Sequence, residues 1–114
     1  MKKIPRRFTK EVMLRDHKAH YTTEEVIEHM KMGSSPIPDH LIEWMMPQRA
    51  ANLEFLNNCS SDLVFMMPDE RFQEAAVTQW CQSNAKAGWG KLQLFKYWWF
   101  ESVADADAFE AALC

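Results

Sequence analysis

The chain has 114 residues, 47% apolar and 25% charged, which is one ordinary globular domain, long enough to bury a core without disulfide staples. It contains no run of 18 apolar residues to serve as a transmembrane helix, and its basic start, MKKIPRRF, lacks the apolar stretch of a secretory signal. The formal net charge of −3 conceals an asymmetry: residues 1–18 carry seven basic against two acidic side chains, a net of +5, and the other 96 carry six against fourteen, a net of −8.

This split predicts a basic N-terminal arm, residues 1–18, attached to a single domain, residues 19–114. Pro5 opposes helix at the start of the arm, and residues 9–20 are expected to form a short helix carrying Val12 and Met13 inward. Thr22 and Glu25 have the spacing of a capping box, and Glu24 and Glu25 suit the positive end of a helix dipole. The helix they open carries Val26, Ile27 and Met30 and ends at Gly33. Residues 34–38, with two prolines, form a linker. Asp39 is expected to cap a second helix bearing Leu41, Ile42, Met45 and Met46, with Pro47 either breaking it or opening a third helix to about Asn57.

The second half changes character. LVFMM, residues 63–67, is a short apolar run between turn signals, the pattern of a buried strand. Pro68, Asp69 and Glu70 are expected to open a helix running to about Asn84, with Phe72, Ala75, Ala76 and Trp80 as its stripe. KLQLFKYWWFE, residues 91–101, is then predicted as one strand, aromatic on both faces. Trp98 and Phe100 point one way, and Phe95, Tyr97 and Trp99 the other. Ser102 and Asp105 have capping-box spacing ahead of a terminal helix. The expected fold is α+β: a helical N-terminal half packed on a small sheet, with a β-α-β-α C-terminal half. Two strands are marginal alone, so a third is expected from the N-terminal arm or from a second subunit.

Three features compete for a functional role. The aromatic face of Phe95, Tyr97 and Trp99 suits a protein partner or self-association, since Tyr and Trp are enriched at interfaces; burial beneath the N-terminal helices is the competing expectation. The basic arm, densest at Lys2, Lys3, Arg6 and Arg7, suits nucleic acid or an acidic partner. Asp16, His17 and His20 lie close enough for a two-histidine, one-carboxylate metal site, but no fixed metal-binding spacing supports one, and neither a metal nor any other cofactor is expected. No GxSxG, phosphate-binding loop, CxxC or GxGxxG occurs, so the chain is not expected to be an enzyme. Cys59, Cys81 and Cys114 are an odd, widely spaced set, read as reduced thiols in a cytoplasmic protein.

The run LFKYWWFESVADADAFEAAL, residues 94–113, resembles the third strand and second helix of RNA-recognition-motif domains. The glycines of that motif are absent from residues 96–100, and little chain separates Asn84 from Lys91 for the second strand such domains need. The order of strand, helix, aromatic strand and alanine-phenylalanine helix also resembles small uncharacterised accessory proteins of tailed bacteriophages. That resemblance implies a non-enzymatic protein of the host cytoplasm that binds a host or virion component, and it carries over no functional residue. The expected function is therefore protein–protein interaction or regulation; the alternative is a nucleic-acid-associated protein using the basic arm. No membrane role is expected.

Overall fold

A computed structural model describes residues 5–114, and it is an α+β fold. Its elements in chain order are β1 (Arg7–Phe8), α1 (Lys10–Asp16), α2 (Thr23–Lys31), α3 (Asp39–Asn58), β2 (Val64–Met66), α4 (Glu74–Asn84), β3 (Trp89–Lys91), β4 (Trp98–Phe100) and α5 (Val103–Leu113). The four strands form one antiparallel sheet in the order β1-β2-β4-β3. Because α4 carries the chain from β2 to β3 while β4 fills the gap between them, the C-terminal half is a split β-α-β unit.

Local chemistry accounts for most helix boundaries. Thr9 Oγ1 accepts from the Val12 N–H and starts α1. At α2 both halves of the capping box form: Thr22 Oγ1 accepts from Glu25 N–H, and Glu25 Oε1 accepts from Thr22 N–H, each at 3.1 Å. These bonds hold the Glu25 carboxyl below its ordinary range. Gly33, at φ +98°, supplies the left-handed residue beyond the end of α2. The expected break at Pro47 does not occur. α3 runs through it for 20 residues, and the Gln48 side chain donates to the Trp44 carbonyl at this turn, at 3.1 Å. Proline removes one backbone bond, and here packing outweighs that loss.

Three expectations from the second half need correction. Residues 68–73 are a turn, not helix, with Asp69 Oδ1 accepting from Arg71 N–H; α4 begins only at Glu74. Its inner face is Val77 and Cys81, while Ala75 and Ala76 are exposed. Residues 91–101 are not one strand. They are the end of β3, a loop and β4, with Trp89 opposite Phe100 and Lys91 opposite Trp98. The strand that the chain between Asn84 and Lys91 looked too short to hold is β3 itself. Finally, Ser102 caps α5 by accepting from Asp105 N–H, but the Asp105 carboxylate does not reach back. It accepts instead from the Lys86 and Ala87 N–H groups, at 3.0 and 2.9 Å.

The sheet is completed from within the chain. β1 pairs with β2, Arg7 opposite Met66 and Phe8 opposite Phe65, so this part of the basic stretch is built into the body. Helices cover both faces. On one side Met66, Trp98 and Phe100 pack with Val77, Cys81 and Phe109 of α4 and α5. On the other, Phe65 and the half-buried Trp99 pack with Met13 of α1 and with Phe55 and Leu56 of α3. Phe65, Phe100, Phe109, Met13 and Leu56 are fully buried, and each large apolar side chain removed from water contributes about 1.5–3 kcal/mol. Gly90 is required by this packing, because a Cβ there would sit 2.6 Å from the Trp99 ring. α2 lies outside α3, away from the sheet.

Candidate functional site

The loop of the β3–β4 hairpin, residues 92–97, organises the candidate site. It contains no Gly, Asn or Pro, yet Leu94 is left-handed at φ 72°, a conformation that costs a branched residue roughly 1–3 kcal/mol. Two outside groups and one bond within the loop hold it there. Asn52 on α3 accepts from Gln93 N–H at 2.8 Å and donates to the Gln93 carbonyl. Lys91 Nζ donates to the carbonyls of Leu92 and Phe95, at 3.0 and 3.1 Å. Within the loop, the Tyr97 carbonyl accepts from Leu92 N–H at 2.9 Å and closes it.

Behind Asn52 lies a buried polar chain. His17 is 3% exposed, and its Nδ1 lies 2.7 Å from the Met13 carbonyl. A carbonyl only accepts, so the proton sits on Nδ1, leaving Nε2 to accept from the Asn52 amide at 3.1 Å. Burial lowers the His17 pKa, and the nearby Arg49 adds to this; the Met13 hydrogen bond and Asp16 act in the opposite sense. Arg49, 8% exposed, donates through Nε to the His17 carbonyl at 3.2 Å and through Nη2 to the Lys18 carbonyl at 3.1 Å. These bonds hold Lys18 at φ 54°, the second left-handed non-glycine residue.

This geometry predicts a pH dependence. His17 is neutral in the fold, and its folded pKa lies below the ordinary value near 6.5. Above that value neither state is protonated, so stability is complete; as pH falls through it, the unfolded chain takes up the proton first and stability is lost. The urea midpoint is expected to fall between pH 7.5 and 5.5, and His17→Gln to flatten that slope. The other three histidines are exposed, so an unchanged slope in the variant would contradict the assignment.

The fold keeps the Phe95 and Tyr97 rings together, centroids 6.2 Å apart, but packs Tyr97 and Trp99 against the core of Met13, Leu56 and Phe65. Phe95 is 39% exposed at the loop tip. Tyr97 is half-buried, its ring edge-on to Phe8 at 5.4 Å, with burial and the Asp16 carboxylate raising its pKa. Trp99 lies against Phe55, ring centroids 5.2 Å apart. Arg7 pairs with Asp107 at 2.7 Å and Glu110 at 3.7 Å, and Arg6 bonds the Pro68 carbonyl at 3.0 Å with Asp69 at 4.0 Å. Lys2 and Lys3 lie outside the described residues. Both nitrogens of His17 are occupied internally, so Asp16, His17 and His20 do not converge, and among the described residues no three potential ligands cluster for a metal ion.

Sequence reading missed Trp44. It is 60% exposed on α3 and, with Phe95, lines a depression of about 530 Å³ that also takes in Gln48, Leu94 and Lys96. The signal was present: Ile42, Arg49 and Leu56 are buried at seven-residue spacing, which places Trp44, two positions from Ile42, on the far side of the helix. Two polar residues on the inner face, Arg49 and Asn52, masked that stripe. Burial raises the pKa of all three thiols, Cys81 to about 12, which is the setting of an unreactive cysteine. Among the described residues no helix is long and apolar enough to cross a membrane. No protein-family model, curated protein or solved structure matches the chain.

Proposed function

We propose that this chain is a non-catalytic interaction protein that docks another protein on the outer side of α3 and the β3–β4 loop. The observation that carries this reading is the exposed pair Trp44 and Phe95 facing one depression, with Leu41, 41% exposed, one turn before Trp44. Large exposed rings beside polar rim groups are the residues that most often dominate protein interfaces. The likeness to phage accessory proteins makes a host or virion component the expected class of partner. Base stacking on the sheet has less support, because RNA-recognition sheets stack bases on an open aromatic face, and α1 and α3 cover that face here. Arg6 and Arg7, in the densest part of the basic stretch, are engaged by Asp69, Asp107 and Glu110, which further favours a protein partner over nucleic acid.

The test is affinity capture from host lysate by the wild-type chain, by Trp44→Ala with Phe95→Ala, and by Lys2→Ala with Lys3→Ala. A protein retained by the first and third but lost, by ten-fold or more, from the second is the expected result; a two-residue hot spot contributing about 2 kcal/mol or more has that effect. Retention of nucleic acid that is lost in the lysine variant would replace this reading with the arm-based one.

A further inference from the structure

A second concavity, bounded by α1, α2, α3 and the β3–β4 loop, has a volume of about 330 Å³. Its wall is mainly apolar, with Val26, Met30, Ile37, Met45, Met46 and Phe95 contributing. Arg49 also lines it. The residue is 8% exposed, and two of its N–H groups meet carbonyls, but among the described residues no carboxylate lies within 4.0 Å to neutralise it. A buried charge is costly unless an opposite charge compensates it. Asp16 lines the same cleft, as do Lys18 and His29, but its carboxylate makes no ion pair with Arg49 within 4.0 Å. Among the described residues, the two left-handed non-glycine residues, Lys18 and Leu94, both stand on the cleft wall, and such strain persists where surrounding bonds over-determine it.

We infer that this cleft binds a small monocarboxylate with an apolar body, its carboxylate on Arg49 and its body against Val26, Met30 and Met45. With the Nε hydrogen and one Nη2 hydrogen donated to the His17 and Lys18 carbonyls, the terminal Nη1–Nη2 edge remains, and such an edge matches a carboxylate bidentately. At about 30 Å³ for each water-sized group, the cleft holds on the order of ten non-hydrogen atoms, the size of a medium-chain fatty acid or an arylpropionate. It lies at the lower end of the roughly 300–1,000 Å³ range of small-molecule sites. Inorganic phosphate would leave the apolar wall uncovered and presents more charge than one guanidinium answers. The binding needs no docking partner, so it stands or falls separately from the function proposed above.

The experiment is titration of the purified full chain with octanoate, 3-phenylpropionate, 1-octanol and inorganic phosphate, followed by backbone amide shifts and calorimetry. Saturable binding of at least one carboxylate is expected, with shifts at His17, Val26 and Leu94, and at least ten-fold weaker binding of octanol and phosphate. Arg49→Lys keeps the charge but not the fork, and is expected to weaken binding by five-fold or more. Because Arg49 also holds Lys18, a second variant, Met45→Trp, fills the cleft and leaves the arginine in place; it is expected to abolish binding. No saturable shifts at millimolar carboxylate, equal binding of octanol, or unaltered binding in folded Met45→Trp would each overturn the assignment.

Discussion

Asn52→Ala is expected to destabilise the fold by about 2–4 kcal/mol and to free the β3–β4 loop. The substitution removes three hydrogen bonds at once, two to the Gln93 backbone and one to His17 Nε2. Asn52 is 3% exposed, so the His17 nitrogen it leaves behind has no ready access to water, and an unsatisfied buried polar group costs about 1–3 kcal/mol. The effect extends beyond the lost bonds. The Asn52 clamp from α3 is one of the bonds that hold Leu94 in its left-handed conformation, so the variant loop is expected to relax and carry Phe95 with it. Denaturant unfolding measures the first consequence; loss of amide-exchange protection at Gln93, with α5 protection retained, measures the second. A variant as stable as wild type would show that the clamp is incidental.

Asp105→Ala is expected to cost about 3 kcal/mol. The carboxylate is 5% exposed and accepts from two successive N–H groups, Lys86 and Ala87, in the turn between α4 and β3. Hydrogen bonds to a charged group contribute about 1.5–3 kcal/mol each, and the turn has no other described partner for these donors. Asp105→Asn keeps an acceptor oxygen but not the charge, and is expected to lose about half as much. The comparison separates charge from shape: an Asp105→Asn variant as stable as wild type, by thermal or urea unfolding, would mean that the negative charge contributes nothing.

Both residues lie where sequence reading was weakest, and for the same physical reason. α2 was legible because its start is determined within four residues by Thr22 and Glu25. β2 was legible because LVFMM is apolar between turn signals, and the covering of both sheet faces followed from apolar stripes that needed a surface. The hairpin within residues 91–101 was not legible. Its loop has none of the usual turn residues and is held by Asn52, 41 positions away in the chain, so no local pattern announces it. Asp105 looked like half of a capping box because its spacing from Ser102 is right, but its carboxylate serves a turn 18 and 19 residues upstream. β1 is two residues long, too short for any periodicity. At the candidate site, Phe95 was singled out and Trp44 was not; the single strand expected to carry Phe95, Tyr97 and Trp99 is broken, although the Phe95 and Tyr97 rings still adjoin.

The central claim is that partner contact occurs on the outer side of α3, around Trp44, and not on the aromatic sheet. Site-specific photo-cross-linking tests it most directly, with a photoreactive phenylalanine analogue placed at position 44 in one protein and at position 99 in another, each exposed to host lysate. A discrete adduct from position 44 and none from position 99 is the predicted result. An adduct from position 99, or none from position 44 in a correctly folded protein, would contradict it.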